Sequence, residues 1–368
     1  MPLSRPVRVR RTSARTKVKK LFILLLVIVV AAGASVAIQY RRVGQPFLGY
    51  EGAEQFVDIP QGAGSRAIGQ RLVDAGVVHD LLTYRVALWL TGEGRHLKAG
   101  EYRFDHPMTP REVIDKMARG DVYVIHITFR EGLTMYEMAQ LFESHGLGTA
   151  ASFLEAAKDP TPIREIDRDA RTLEGYLFPE TYAMPRRADA HQLVRQMVEQ
   201  FRHAFTPEIR AAAAERNLTP HQAVTLASIV EKETGRADER PIVAAVYTNR
   251  RRIGMALQCD PTVIYALEVA GRYTGNIHKD DLAIDSPYNT YRYPGLPPGP
   301  IASPGRASLD AAVHPADADF LYFVSRNDGS HVFARTLDEH NRNVQKFQVQ
   351  YFRDLRAAEA GRGHNPRP

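Results

Sequence analysis

The hydrophobic residues form one long uninterrupted run near the N-terminus and short periodic clusters elsewhere. The segment from Leu21 to Ile38 is an uncharged apolar stretch. At about 1.5 Å of rise per residue, some 20 such residues cross a hydrocarbon core of roughly 30 Å. The pattern therefore predicts a transmembrane helix over residues 21–40. The alternatives are a cleavable signal peptide, which usually has a shorter apolar stretch, and a buried core helix.

The rest of the chain alternates strand-like and helix-like patterns. Residues 54–120 predict a strand, two helices, a returning strand and a helix that opens at the capping box TPRE. A second strand, VYVIHITF, and a second capped helix follow. Residues 151–218 predict mostly helix, interrupted by an ordered loop, LEGYLFPETY. We therefore predict an α+β fold: one N-terminal transmembrane helix, a small α/β region, and a mixed, helix-rich domain with short strands.

The positive charge of the chain is confined to its first residues. The sequence has 48 Lys and Arg against 42 Asp and Glu, a formal net charge of +6. Residues 1–20 hold eight of the bases and no acid, so the remainder has 40 bases against 42 acids. The positive-inside rule then predicts a basic cytoplasmic tail over residues 1–20 and an external chain beyond the helix. No nucleic-acid partner is expected, because no basic, aromatic-interleaved surface follows the tail.

The most informative helix is predicted over residues 220–234, between the cap TPHQ and Gly235. At 100° per residue, Lys232 points to solvent, while Glu231 and Glu233 flank the apolar stripe about 160° apart and cannot share one small site. A carboxyl at the edge of such a stripe can be partly desolvated, which raises its pKa and makes it a candidate general acid. A fully solvated helix end is the alternative, and periodicity does not choose between the two glutamates. The stripe consists of Ala223, Leu226, Ala227, Val230 and Thr234.

Downstream of this helix, the chain is rich in proline and tyrosine. Asp260 before a proline predicts a helix N-cap. The segment SPYNTYRYPGLPPGPIASPG cannot be a central strand or a helix interior. Its tyrosines beside Asn and Thr suit a sugar-binding wall, and a stiff surface loop is the alternative. Two strands around a turn at residues 327–329 and a final helix complete the chain. Three downstream histidines lack metal-ligand spacing and are interpreted as packing or surface residues: His314, His331 and His340.

Several motifs of the chain resemble those of one family. ASIVEKET, LQCDPTVIYAL, NTYRYPGLPPGPIASPG and HNRNVQKF are similar, in this order, to motifs of the endolytic murein transglycosylases, the MltG/YceG-like family. KAGEYRF and LEGYLFPETY match as well, and the likeness covers roughly residues 50–350. It implies a lyase of the cell inner membrane, with a cytoplasmic N-terminus and a periplasmic catalytic domain. Such an enzyme cuts peptidoglycan strands internally between N-acetylmuramic acid and N-acetylglucosamine and leaves a 1,6-anhydro end.

The resemblance also implies domains, site residues and partners. It predicts a LysM-like peptidoglycan-binding region over residues 50–160, a catalytic domain over residues 161–355 and a flexible tail over residues 356–368. Glu233 is the implied catalytic residue, and the implied sugar contacts are Gln258, Tyr288, Asn289 and Tyr291. The implied partners are glycan strands, the membrane and penicillin-binding synthases. Cys259, the single cysteine, stands where a small residue such as Thr is expected.

No cofactor and no metal are expected. A pyridoxal-phosphate lyase would need a Schiff-base lysine and a phosphate cup, whereas Lys232 is predicted to face solvent and the sequence has no phosphate-binding loop. One lone cysteine also excludes a cysteine-rich zinc site. The alternative function is a non-enzymatic, membrane-anchored protein that binds peptidoglycan.

Overall fold

The computed structural model describes residues 14–186 and 189–362, with side chains described for residues 19–186 and 189–356. The chain forms two compact units, one ending at Val124 and the other beginning at Ile125. Both units combine helices with short antiparallel strands, which confirms the predicted α+β class. Residues 1–13 of the predicted basic tail and residues 363–368 of the predicted flexible tail lie outside the described residues.

The first unit begins with the long helix α1 (Ala14–Val43). Its segment Lys19–Val43 contains an 18-residue window with a mean hydropathy of 3.0 and is long and apolar enough to cross a membrane. At the C-terminal end of α1, Val43 is buried in the core of the unit. The predicted apolar helix is therefore present. Its length and composition alone do not distinguish a membrane anchor from a signal sequence.

A strand–helix–helix–strand–helix module completes the first unit. Strands β1 and β2 pair antiparallel, with Gln55 opposite Phe104 and Ile59 opposite Gly100. Alternate strand residues, among them Val57 and Tyr102, are buried against the helices, as the period of two requires. The order predicted from the sequence is confirmed, whereas the LysM-like character of the module stays a prediction. The elements are β1 (Gln55–Ile59), α2 (Ser65–Asp74), α3 (Leu81–Thr91), β2 (Gly100–Phe104) and α4 (Pro110–Arg119).

The first half of the second unit contains a strand that the sequence did not predict. β4 pairs antiparallel with β3, with Ile125 opposite Met184 and Thr128 opposite Thr181. The first two residues of β4 were predicted as the end of the loop LEGYLFPETY and the last two as helix, because a four-residue strand is too short for a clear alternating pattern. The elements are β3 (Ile125–Thr128), α5 (Met135–Ser144), α6 (Ala150–Lys158), a 3₁₀ turn (Thr161–Ile163), β4 (Thr181–Met184), α7 (Ala190–Ala204) and α8 (Pro207–Glu215).

The second half of this unit is a set of helices and one hairpin. The predicted hairpin is confirmed: β5 and β6 pair around a turn in which Asn327 has φ of 65°. The helix after it opens at a capping box between Thr336 and Glu339. The elements are α9 (Pro220–Glu233), α10 (Arg240–Arg252), α11 (Asp260–Val269), a 3₁₀ turn (Lys279–Ala283), α12 (Arg306–Val313), β5 (Tyr322–Ser325), β6 (His331–Ala334), α13 (Leu337–Val344), a π-helical stretch (Gln345–Gln350) and α14 (Tyr351–Arg362).

Helix α9 lies at the centre of the second unit. It begins at the predicted capping box between Thr219 and Gln222. The whole stretch 223–230 is buried, so α9 is enclosed on every side rather than along one stripe. The predicted end was wrong by one position: Thr234 is the C-cap, and Gly235 does not take the left-handed conformation.

Candidate active site

Glu231 is fixed by two partners near the end of α9. Its Oε1 accepts a hydrogen bond from Nη2 of Arg240 at 3.1 Å, and its Oε2 accepts one from the backbone N–H of Gly305 at 2.9 Å. The carboxylate and guanidinium groups are both almost fully buried. A fully solvated helix end is therefore wrong, and Glu231 connects α9, α10 and the start of α12.

Glu233 has different partners and faces a different space. Its Oε1 accepts hydrogen bonds from the hydroxyl of Tyr247 at 2.6 Å and from the thiol of Cys259 at 3.0 Å. The two glutamates therefore do not share a site, as the helical geometry predicted. Glu233 is half-buried at a polar cavity of about 260 Å³. The cavity is lined by Glu233, Tyr247, Arg250, Gln258, Asp260, Tyr291, Phe323 and His340.

The surroundings of Glu233 favour its protonated form. Burial raises the pKa of Glu233, and the nearby Asp260 raises it further, whereas the hydrogen bonds from Cys259 and Tyr247 lower it in part. Burial also raises the pKa of Tyr247 and of Cys259 well above their usual values, so both groups keep their protons and act as donors. With Oε1 occupied by these donors, Oε2 of Glu233 has no hydrogen-bond partner within the described part of the chain.

The loop before α11 is bent so that several polar groups line this cavity. Gln258 has φ of 50°, a left-handed conformation that is uncommon outside glycine. Thr290 holds it there, because its carbonyl accepts the N–H of Gln258 at 3.2 Å and its hydroxyl accepts the N–H of Cys259 at 3.0 Å. The N-cap predicted for Asp260 was wrong: α11 begins at Asp260 itself, and its carboxylate accepts a hydrogen bond from Tyr291 at 2.5 Å.

The structure brings together only part of the predicted sugar-binding set. Gln258 and Tyr291 line the cavity with Glu233. Asn289 is completely buried: its amide donates to the carbonyls of residues 282 and 284, and its oxygen accepts the N–H of Tyr291. Tyr288 packs on Tyr265, with ring centroids 4.9 Å apart, and is not among the residues that line this cavity. Asn289 therefore holds the proline-rich loop in shape instead of reaching into the cavity.

Comparisons with known proteins agree with this architecture. The profile of the YceG-like family matches residues 57–346. The chain belongs to this family. A protein named endolytic murein transglycosylase from Bacillus subtilis (strain 168) is 30% identical over 307 residues, which cover 79% of this chain and 84% of that protein. A protein of the same name from Streptococcus pneumoniae (serotype 2, strain D39) is 30% identical over 321 residues, which cover 78% of this chain and 57% of its own length.

A solved structure extends the comparison to the fold. The crystal structure of a YceG-like protein from Listeria monocytogenes has 31% sequence identity and a TM-score of 0.55. The match covers 79% of this chain and 98% of that one. The resemblance found from the sequence motifs is therefore confirmed.

Sequence reasoning did not assign five lining residues to this site: Tyr247, Arg250, Asp260, Phe323 and His340. Tyr247 and Arg250 come from α10, where no motif marks them. The guanidinium of Arg250 donates to the carbonyls of residues 321 and 257, at 2.6 Å each, and so joins the residue before β5 to the loop before α11. Phe323 packs edge-on against Tyr247. His340 was interpreted as a packing or surface residue. It stacks on Tyr322 and also lines the cavity, and its place in HNRNVQKF was the available signal.

A buried ion pair fixes the proline-rich loop of this YceG-like protein against the start of α9. Nδ1 of His221 lies 2.6 Å from the carboxylate of Asp167, which also accepts a hydrogen bond from Tyr176. Nε2 of His221 lies 2.8 Å from the carbonyl of Pro298. The hydrogen bond to Asp167 raises the pKa of His221, because both ring nitrogens face acceptors and the imidazolium satisfies both. His221 thus holds the proline-rich loop to the start of α9 through contacts of both its ring nitrogens.

Proposed function

We propose that this YceG-like protein is a membrane-anchored endolytic lytic transglycosylase. It would cut the bond between N-acetylmuramic acid and N-acetylglucosamine within peptidoglycan strands. The observation that carries the proposal is Glu233, an acid with a raised pKa and one occupied oxygen at a polar cavity. The names of the relatives from Bacillus subtilis and Streptococcus pneumoniae support the same reaction class.

In the first step, the proton on Oε2 of Glu233 passes to the glycosidic oxygen. The bond between this oxygen and C1 of N-acetylmuramic acid breaks, and N-acetylglucosamine leaves with a new hydroxyl. Glu233 suits this step because its raised pKa allows the side chain to keep its proton at higher pH than an ordinary glutamate does. Tyr247 and Cys259 hold Oε1, so the side chain has one free oxygen for the proton.

In the second step, Glu233 acts as a base. The 6-hydroxyl oxygen of the same N-acetylmuramic acid attacks C1, and its proton returns to the carboxylate. A 1,6-anhydro ring closes, no water is consumed, and the enzyme regains its starting protonation state. One acid/base group is sufficient because the substrate supplies the nucleophile. Tyr247 and Cys259 would stabilise the transient carboxylate by hydrogen bonds.

A hydrolase is the second candidate, because Asp260 lines the same cavity as Glu233. Most glycoside hydrolases use two carboxyl groups beside the glycosidic bond. One protonates the leaving oxygen, and the other activates water or attacks the sugar. Tyr291 donates to Asp260 at 2.5 Å and engages one of its oxygens. In the lyase reaction we assign Asp260 an electrostatic role, since its charge raises the pKa of Glu233.

Mass spectrometry of peptidoglycan digests separates these functions. A lyase leaves anhydro ends, a hydrolase leaves reducing ends that are heavier by one water, and a binding protein leaves the strands intact. We expect anhydro products from the wild type and from Glu231→Gln, and none from Glu233→Gln. The two variants carry the same chemical change two residues apart, and circular dichroism checks that both fold. Retained anhydro release by Glu233→Gln would refute the assignment.

The placement in the cell is part of the same proposal. Helix α1 would anchor the protein in the cell inner membrane, with the tail of residues 1–20 in the cytoplasm and the rest in the periplasm. Residues 50–160 would bind peptidoglycan as a LysM-like region, residues 161–355 would carry the catalysis, and penicillin-binding synthases would be partners. Glycan pull-down with Glu233→Gln, with and without residues 50–124, the part of this region that lies in the first unit, tests the binding role.

A further inference from the structure

One face of α3 exposes two large apolar side chains beside a basic one. Trp89 is 81% exposed and Leu82 is 51% exposed, although both lie on a helix whose opposite side is buried. Arg85 lies between them and is exposed as well. At 100° per residue these three positions fall within about 60° of each other, so they form one continuous strip. We call this strip, Leu82, Arg85 and Trp89, the α3 outer face.

A shallow groove of about 570 Å³ runs along the C-terminal part of the α3 outer face. Its lining includes Arg85, Trp89, Arg95 and His96, and Glu93 next to the groove pairs with His96 at 2.8 Å. Neither Arg85 nor Arg95 makes a hydrogen bond or ion pair with any other part of the chain that the structure describes. Two unpaired guanidinium groups beside an exposed indole are an amphipathic combination that suits the boundary between lipid headgroups and acyl chains.

The start of α3 is tied to the end of the apolar helix. The hydroxyl of Thr83 donates to Oε1 of Gln39 at 2.8 Å, and Arg42 forms an ion pair with Asp80 at 3.0 Å. If residues 21–38 fill the hydrocarbon core, the headgroup layer of about 5–7 Å takes up the next four or five residues of α1. Gln39 and Arg42 lie in that layer, and their hydrogen bonds bring the first turn of α3 to it.

We propose that the α3 outer face and its groove bind the surface of an anionic phospholipid bilayer. Trp89 and Leu82 enter the interfacial layer, and Arg85 and Arg95 contact lipid phosphates. The inference rests on α1 spanning the membrane, as proposed above. The first unit is then held to the membrane at two points, the anchor helix and α3, which fixes its orientation relative to the bilayer.

Trp89 is the only tryptophan of the chain, so tryptophan emission, excited at a wavelength that the tyrosines do not absorb, reports on this face alone. The experiment places the full-length protein in vesicles of phosphatidylglycerol and phosphatidylcholine, with flotation to verify insertion. We expect Trp89 emission at shorter wavelength than in detergent, protection from acrylamide in the water, and quenching by lipids brominated near the headgroup end of the acyl chain. Vesicles of phosphatidylcholine alone should give weaker quenching.

Arginine variants test the recognition chemistry. Arg85→Gln/Arg95→Gln should weaken docking of the face by roughly 25-fold, because each arginine near an anionic surface contributes about fivefold. Arg195→Gln/Arg210→Gln removes the same charge from exposed positions of the second unit and should leave the quenching unchanged. A floated protein with Trp89 open to acrylamide would overturn the inference while leaving the anchor intact. Failure to float would overturn the anchor and the inference together, and release of anhydro products is measured independently of both.

Discussion

Replacing Tyr247 by phenylalanine would test how its hydrogen bond affects the pKa of Glu233. The hydroxyl of Tyr247 donates to Oε1 of Glu233 at 2.6 Å, and its ring packs edge-on against Phe323 with centroids 6.0 Å apart. Phenylalanine keeps the ring and its packing and removes only the donor. Because that donor stabilises the carboxylate form, its loss should raise the pKa of Glu233 above its already raised value.

The size of the shift follows from the strength of one hydrogen bond to a charged group. Such a bond contributes about 1.5–3 kcal/mol, and one pKa unit corresponds to about 1.4 kcal/mol. The pKa of Glu233 should therefore rise by about 1 unit, with about 2 units as the upper limit. In the proposed reaction Glu233 starts in its protonated form, so the alkaline limb of the kcat/KM profile should move to higher pH by the same amount.

The assay is the rate of anhydro-muropeptide release as a function of pH for the wild type, Tyr247→Phe and Cys259→Ala. Cys259 is the matched control, because it donates to the same oxygen at a longer distance, 3.0 Å, and a thiol is a weak donor. Its removal should shift the limb in the same direction by a smaller amount. An alkaline limb that stays in place in Tyr247→Phe, or moves to lower pH, would refute this account of the tuning.

Three further predictions concern stability, each measured by urea unfolding. Burial raises the pKa of Glu174 to about 8 from a usual 4.5, so the wild type should lose stability relative to Glu174→Gln as pH rises from 4.5 to 8; a constant difference would contradict this. Asn289→Ala should cost about 1–3 kcal/mol by leaving buried carbonyls unpaired, whereas a sugar contact would raise KM without that loss. Gly175→Ala should cost more than Gly146→Ala, because both have φ above 60° but only at Gly175 would the new Cβ lie 2.4 Å from Cβ of Pro300; equal costs would exclude that clash.

Capping motifs and hydrophobic periodicity correctly predicted several helices and one strand. Capping boxes at Thr109, Thr134 and Thr219 each start a helix where the sequence places it. The alternating pattern in VYVIHITF gives a strand with Ile127 buried and His126 exposed. These features depend on hydrogen bonds and side-chain periodicity among residues that are close in the chain. They can therefore be predicted from one sequence.

Features that depend on distant partners were missed or misplaced. β4 is a strand because β3, more than 50 residues earlier in the chain, supplies its pairing partner. Asp260 resembles an N-cap, but Tyr291 provides a donor for its carboxylate, and the helix begins one residue earlier than the capping rule requires. Asn289 resembles a surface hydrogen-bonding group, yet the carbonyls of a neighbouring turn bury it. Residue type alone does not reveal such partners.

The position at which α9 ends has a direct chemical consequence for Glu233. Glu233 is the last residue of the helix, and the carboxyl end of a helix carries roughly half a negative charge, which disfavours a second negative charge there. The end is fixed by contacts: Thr234, the C-cap, donates to Glu239 at 3.1 Å, and Glu239 accepts hydrogen bonds from the backbone and ring of His331. The β6 strand thus helps to end the helix immediately after its acid. The helix dipole and burial therefore both raise the pKa of Glu233.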